Sequence, residues 1–242
     1  MNPDKAAELE QMRRQLQVFA NDLRHIVGEE RRLREETEMA FRELQQAYQD
    51  MVRTLAVSAE MKDQYTSGHL DRTYQFALAL TRRVAPELTQ EPTLGFGYLL
   101  HDVGKVLIPD SILNKPGPLD DDEWEIMASH PLRGFELVKP LRLLGDAALV
   151  IRSHHERWDG RGYPDGLAGE EIYLPARIFT VCDTFDAMTT DRPYRKALSI
   201  DDALHEIDRH AGTQFDPDVA REFVALCEER RPVNTEELAF VR

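Results

Sequence analysis

An unbroken apolar seam constrains this chain more than any other feature. Residues 4 to 55 contain no proline and a single glycine, Gly28, so the segment reads as one long helix. Stepping alternately by three and four residues picks out Leu9, Met12, Leu16, Phe19, Leu23, Ile26, Glu30, Leu33, Thr37, Ala40, Leu44, Ala47 and Met51, and all but Glu30 and Thr37 are apolar. A sustained 3.5-residue period is the requirement of a left-handed coiled coil, whereas a helix resting on a globular core follows 3.6 and drifts off such a seam within a few heptads. The natural partner is a second copy of the chain, parallel by default. The mixture of Leu, Met, Phe and Ile does not select two strands over four. The segment predicts an N-terminal coiled-coil helix over 1–56 that dimerises and transmits a signal, followed by a separate domain over 57–242.

Beyond residue 57 apolar residues recur at helical spacing in short runs broken by Pro and Gly, without strand alternation. Helices are expected near 59–84, 91–103, 120–129, 131–139, 144–155, 175–189, 200–210 and 217–230. Start signals are Asp120 or Asp121, Ser199 and Pro217. The expected fold is all-α. A hydrophobic fraction of 42% and a charged fraction of 31% belong to a globular chain. No stretch approaches the roughly 18 apolar residues of a membrane span, and the N-terminus is too charged for a secretory signal, which predicts a cytoplasmic protein. Cys182 and Cys227 form no CxxC pair and read as buried fillers. A net charge of −14 excludes a general nucleic-acid surface, so a phosphorylated substrate would need local cations, which bound metals supply.

Five of the eight histidines fall between residues 69 and 155, two of them adjacent. In HDVGK, His101 and Asp102 can serve two metals, because a carboxylate bridges through its two oxygens while the neighbouring imidazole takes one ion. Gly104 is expected to end the helix there and to carry Lys105 into the site. His154 and His155 at a helix end would point about 100° apart, whereas His130, taken singly, is an ordinary polar boundary residue. Asp183 lies in an otherwise apolar helix, where a carboxylate needs a cation or a partner. The loop 159–169, with four glycines, can bring backbone amides close to a ligand. Arg192 and Arg195, three apart, would clamp phosphates or face solvent.

Read together, YTSGH, HDVGK, IPDSILNKPG, HHERWDGRGYPDGL, LPARIFTVCDTFDAMTTDRPYR and GTQFDP resemble the HD-GYP phosphodiesterases from about residue 57 to 230. The resemblance implies the helical catalytic fold of the HD superfamily and hydrolysis of cyclic di-GMP by a metal-bridging hydroxide. It implies metal-binding roles for His69, His101, Asp102, His130, His154, His155 and Asp183. Asp102 would bridge two ions, one held also by His69, His101 and Asp183, the other by His130, His154 and His155. Lys105 matches a lysine near the scissile phosphate, Gly162, Tyr163 and Pro164 match the signature loop, and Arg192 and Arg195 match phosphate contacts. Tyr65 stands four residues before His69, where members with three metals carry glutamate. The expectation is therefore two divalent first-row ions, iron or manganese, with Tyr65 facing the pocket as a hydrogen-bond donor. Two ions about 3.5–4 Å apart share a hydroxide and hold phosphate oxygens for in-line attack. An upstream sensor or signalling protein is the expected partner of the coil. The alternatives are another HD-superfamily nucleotide phosphohydrolase, which would not need the RGYP loop, and a non-catalytic signalling module, which would not need every ligand.

Overall fold

The computed structural model describes residues 3–62, 68–191 and 196–229. The chain divides into two units, Met1–Met51 and Val52–Arg242. Helix α1 runs Pro3–Glu60. In the first unit it is supported by exposed i,i+4 pairs such as Arg31–Glu35 at 3.3 Å and Arg34–Glu38 at 3.0 Å, each worth about 0.3–0.5 kcal/mol. Its seam residues Leu9, Met12, Leu16, Phe19, Leu23 and Ile26 are exposed. In the second unit its last turns carry the buried residues Val52, Ala56 and Ala59.

The described part of the second unit is built from helices. It contains α2 His69–Val84, α3 Leu94–Leu99, α4 Asp110–Leu113, α5 Asp121–Ala128, α6 His130–Val138, α7 Ala148–Ser153, α8 Leu174–Thr189, α9 Ile200–Arg209 and α10 Pro217–Glu229. Among the described residues the only β pairings are the isolated bridges Asp159–Ala168 and Ala211–Phe215. The core forms where α2, α8, α9 and α10 pack together, around Leu80, Ile178, Phe179, Phe185, Ile207 and Phe223. Tyr98 of α3 stacks on Phe179 with centroids 5.5 Å apart, and its hydroxyl meets Thr81 Oγ1 at 2.8 Å, so the buried phenol keeps a polar partner. Cys182 and Cys227 are buried free thiols, as expected. Among the described residues no helix is long and apolar enough to cross a membrane.

Helix starts follow the sequence signals. Asp120 accepts from Glu123 N at 2.9 Å while Glu123 reaches back to the Asp120 amide, a full capping box. Ser199 accepts from Asp202 N at 3.1 Å.

Three expected spans differ. The helix expected over 59–84 is interrupted: α1 ends at Glu60 and α2 begins at His69, with Gly68 in the left-handed region at φ 74. The helix expected over 91–103 is only α3, and a 3₁₀ segment Val103–Leu107 follows, so His101 and Asp102 lie in the turn between them. Gly104 therefore does not end a helix. A Cβ there would fall 1.9 Å from the His130 carbonyl oxygen and 2.6 Å from Gly134 N, so the glycine lets the HDVGK turn lie directly on the backbone of α6. The third span, expected over 144–155, is the six-residue α7 preceded by a 3₁₀ stretch Arg142–Ala147, and His154 and His155 stand in the turn beyond it.

Candidate metal centre

Turns at the ends of short helices deliver most of the site. His69 opens α2, His130 opens α6, His154 and His155 follow α7, and His101 and Asp102 follow α3. Asp183 comes from mid-α8. The seven candidate ligands gather into two adjoining groups. Asp102, His130, His154 and His155 form one; His69, His101 and Asp183 form the other; within each group one ligand atom per residue lies within 4.8 Å of the rest.

Ring orientation follows from the backbone. His101 Nδ1 lies 2.9 Å from Tyr98 O, His130 Nδ1 2.8 Å from Met127 O, and His154 Nδ1 2.9 Å from Ile151 O. A carbonyl oxygen only accepts, so each Nδ1 carries the proton and each Nε2 turns inward as a lone pair. His69 is fixed the same way by a side chain: its Nδ1 meets Asp186 Oδ2 at 2.7 Å, leaving Nε2 3.3 Å from Asp183 Oδ1. Asp186 is in turn held by Arg72, whose Nη2 donates to Oδ2 at 3.0 Å and whose Nε donates to Oδ1. Backbone carbonyls and a carboxylate that orient ligating imidazoles are the usual outer shell of a metal site.

Asp102 faces both groups. Its Oδ1 lies 3.1 Å from His130 Nε2 and 3.8 Å from His154 Nε2. Oδ2 lies 3.2 Å from His101 Nε2 and 2.7 Å from Lys105 Nζ. Burial alone would raise the pKa of Asp102, but the Lys105 ammonium beside it holds it well below the carboxylate range. Burial, reinforced by His154 and His130, keeps His155 neutral. Asp183 is likewise ionised, burial being outweighed by its bond to His69. Burial opposes the proton on His69, yet its bonds to Asp183 and Asp186 raise its pKa to about 10.

This donor set fits divalent cations. Imidazole nitrogens and carboxylate oxygens converge without a thiolate. Buried His101 Nε2 is 3.2 Å from Asp102 Oδ2 yet makes no directed hydrogen bond, so it is a buried acceptor that a cation would satisfy.

The signature loop is built onto the same groups. Tyr163 stacks on His155 with centroids 4.8 Å apart at 26°, and its amide donates to His155 O at 3.2 Å. A Cβ on Gly162 would sit 2.4 Å from Arg157 N and 2.5 Å from Glu156 Cα, so only glycine lets the loop fold this tightly against the histidine pair. Pro164 follows through a cis peptide. Glu156, which the sequence reading passed over, organises the turn: its buried carboxylate accepts from the amides of Asp165 at 2.7 Å, Gly166 at 3.2 Å and Leu167 at 3.1 Å. Asp165 is clamped by Arg152 at 2.6 and 2.8 Å. From the other side GTQFDP braces the loop, Trp158 N donating to Gln214 O at 3.2 Å and Asp159 N to Thr213 O at 2.8 Å.

Asp186 was also missed, although a second carboxylate three residues after Asp183 on an apolar helix was a readable signal. Lys62 was not singled out either; its Nζ donates to Val106 O at 2.9 Å and to Ile108 O, holding the segment after Lys105. Tyr65, Arg192 and Arg195 lie outside the described residues.

The HD domain family matches residues 53–219. The chain is 40% identical over 177 residues to the cyclic di-GMP phosphodiesterase response regulator RpfG of Xanthomonas campestris, covering 72% of this chain and 47% of that protein. It is 36% identical over 205 residues to a cyclic di-GMP phosphodiesterase of Thermotoga maritima, covering 81% and 54%. The chain thus spans about half the length of these relatives. Its fold is similar to a crystal structure of a cyclic GMP-AMP specific phosphodiesterase from Vibrio cholerae, with a TM-score of 0.56 at 24% identity over 74% of this chain and 49% of that one.

Proposed function

This chain belongs to the HD-domain family, and on that premise we propose that its His and Asp groups hold two divalent first-row ions, iron or manganese, and hydrolyse the phosphodiester bonds of cyclic di-GMP. The observation that carries the reading is Asp102, whose two oxygens face the two histidine groups separately. His69, His101 and Asp183 would hold one ion, His130, His154 and His155 the other, with Asp102 common to both. The ions supply positive charge and Lewis acidity toward the phosphoryl oxygens. The names of the relatives from Xanthomonas and Thermotoga support cyclic di-GMP as the substrate. Tyr65 in place of a glutamate supports two ions rather than three.

The chain's own side chains do the rest. Lys105, 2.7 Å from Asp102, brings an ammonium to the edge of the site, where it stabilises charge gathering on the phosphate and the departing ribose oxygen. Tyr163 packs His155 in place, and Gly162 lets the Gly162-Tyr163-Pro164 turn lie directly against the backbone of the histidine pair. Arg192 and Arg195 would add phosphate contacts. The exposed seam of α1 supports a homodimer through residues 4–55, with an upstream signalling protein acting on that coil in the cytoplasm.

The test is oxygen-free purification, metal analysis and product identification with cyclic di-GMP. Two ions per chain and a linear or mononucleotide product are expected; a metal-loaded protein that leaves cyclic di-GMP intact would overturn the reading. For the coil, sedimentation of a chain beginning at residue 56 should give a smaller assembly than the full chain. An unchanged assembly would move the interface to the catalytic domain.

A further inference from the structure

A file of aromatic rings leads out of the second histidine group to the surface. His154 and His155 lie with centroids 4.1 Å apart, and Tyr163 stacks on His155 at 4.8 Å. Trp124 of α5 follows, 6.1 Å from the Tyr163 ring at 77°. It ends the file 54% exposed. The steep angle means that the indole does not stack on Tyr163, and that exposure leaves π surface open at the rim of the site.

The exposure is held in place by the scaffold. The first turn of α5 is pinned by the Asp120–Glu123 capping box and by the ion pair of Lys115 with Glu123. Its last turn supplies Met127 O, the carbonyl that orients candidate ligand His130. One eight-residue helix therefore carries both an anchor of the metal centre and an indole facing solvent, in a fixed relation to each other.

A cyclic dinucleotide whose phosphodiester lies at the histidine groups must carry its bases outward through the riboses. A purine presents a broad flat face but no charge, so the device that suits it is an aromatic ring, and base-on-aromatic stacking is worth about 1–3 kcal/mol in nucleic-acid sites, a loss of roughly thirtyfold in affinity at the midpoint. We propose that Trp124 is a purine subsite, stacking one base of the cyclic dinucleotide while its phosphodiester lies at the metal centre. This rests on the phosphodiesterase reading above for the identity of the ligand.

The experiment compares the metal-loaded native protein with Trp124→Ala and Trp124→Phe. Stopped-flow fluorescence before turnover reports binding of cyclic di-GMP, steady-state kinetics separate KM from kcat, and metal analysis reports the state of the site. Native indole emission should be quenched by cyclic di-GMP. Trp124→Ala should lose most of that quenching and raise KM about thirtyfold, kcat falling less than KM rises, with the metal content retained; Trp124→Phe, which also lacks the indole, should lose the quenching as fully while its KM lies between. Unchanged KM in Trp124→Ala would overturn the proposal, as would a fall confined to kcat or a loss of metal. Failure of the underlying reading looks different: quenching that depends on Trp124 without product would leave the base subsite standing and remove the activity. A native protein whose fluorescence cyclic di-GMP does not alter would remove the subsite itself.

Discussion

The substitution Asp186→Asn removes one charge behind His69 while keeping the volume of the side chain. The carboxylate of Asp186 serves two partners, taking the His69 Nδ1 proton at 2.7 Å and the Arg72 guanidinium at 3.0 Å, and it is itself almost fully buried. Hydrogen bonds to charged groups are worth about 1.5–3 kcal/mol each. The amide of the variant retains a single acceptor oxygen, so with that oxygen in the place of Oδ2 the bonds from His69 Nδ1 and Arg72 Nη2 survive while Arg72 Nε meets an amide N–H, and the expected loss is about 1.5–3 kcal/mol of folding stability. His69 also loses the carboxylate that sets its tautomer, and removal of such an outer-shell partner weakens metal binding about 10–100-fold. Urea unfolding measures the first effect, and competition with a chelator for manganese measures the second. Combining Asp186→Asn with Arg72→Met should cost less than the sum of the two, because both act through one network. Native manganese affinity in Asp186→Asn would refute the claim that the Arg72–Asp186–His69 relay positions a ligand.

Gly104→Ala should destabilise the chain by about 3 kcal/mol or more in urea, since a Cβ 1.9 Å from the His130 carbonyl must part the HDVGK turn from α6. Glu156→Gln should open the signature loop, because an amide N–H₂ would replace one of the oxygens that accept from Asp165, Gly166 and Leu167; faster hydrogen exchange at those three amides is expected, and native protection would refute it. The third expectation concerns pH: His69, raised from 6.5 to about 10 by Asp183 and Asp186 against the effect of burial, contributes stability that is complete below pH 6.5 and lost as the pH climbs through about 10. Chelator-treated protein should therefore melt lower as the pH rises across that window, and Asp186→Asn should flatten the slope.

The sequence made the ligand types legible but not how they are aimed. Scattered histidines and a carboxylate inside an apolar helix are signals of composition, and they pointed to His101, His154, His155 and Asp183, while the family resemblance added His69 and His130; the fold brings all six together. Their aim depends on helices that end a few residues early. His101 and His154 follow α3 and α7 in turns, where the ring can bend back to a carbonyl three residues before it. Periodicity alone extends such helices too far, because apolar spacing continues through the turn; hence the overlong spans at 91–103 and 144–155. Gly104 was misread for a related reason: a glycine at a helix end and one under a crossing backbone look alike until the second segment is known. Asp186 was marked by its spacing from Asp183, whereas Glu156 was not: its partners are three loop amides, and nothing in the spacing of a sequence marks an acceptor for backbone N–H groups.

The acidic balance of the chain and the chemistry of the site meet at Asp102. A net charge of −14 opposes a polyanionic ligand at long range, and the candidate centre adds two ionised carboxylates. Yet the Nδ1 protons of four candidate ligands are committed outward: three imidazole N–H groups to carbonyls and the fourth to Asp186. What faces inward from His101, His130 and His154 is a set of acceptors, with His130 Nε2 and His154 Nε2 3.4 Å apart and Asp102 between the groups. Facing lone pairs repel unless a proton or a cation stands between them, and burial has pushed His154 and His155 away from taking the proton. Divalent ions are the partners that resolve this, and two of them would turn an acidic site into a cationic one. Lys105 contributes an ammonium that pairs with the shared carboxylate, so the same residue that would bridge the ions also fixes the cation that would meet the substrate.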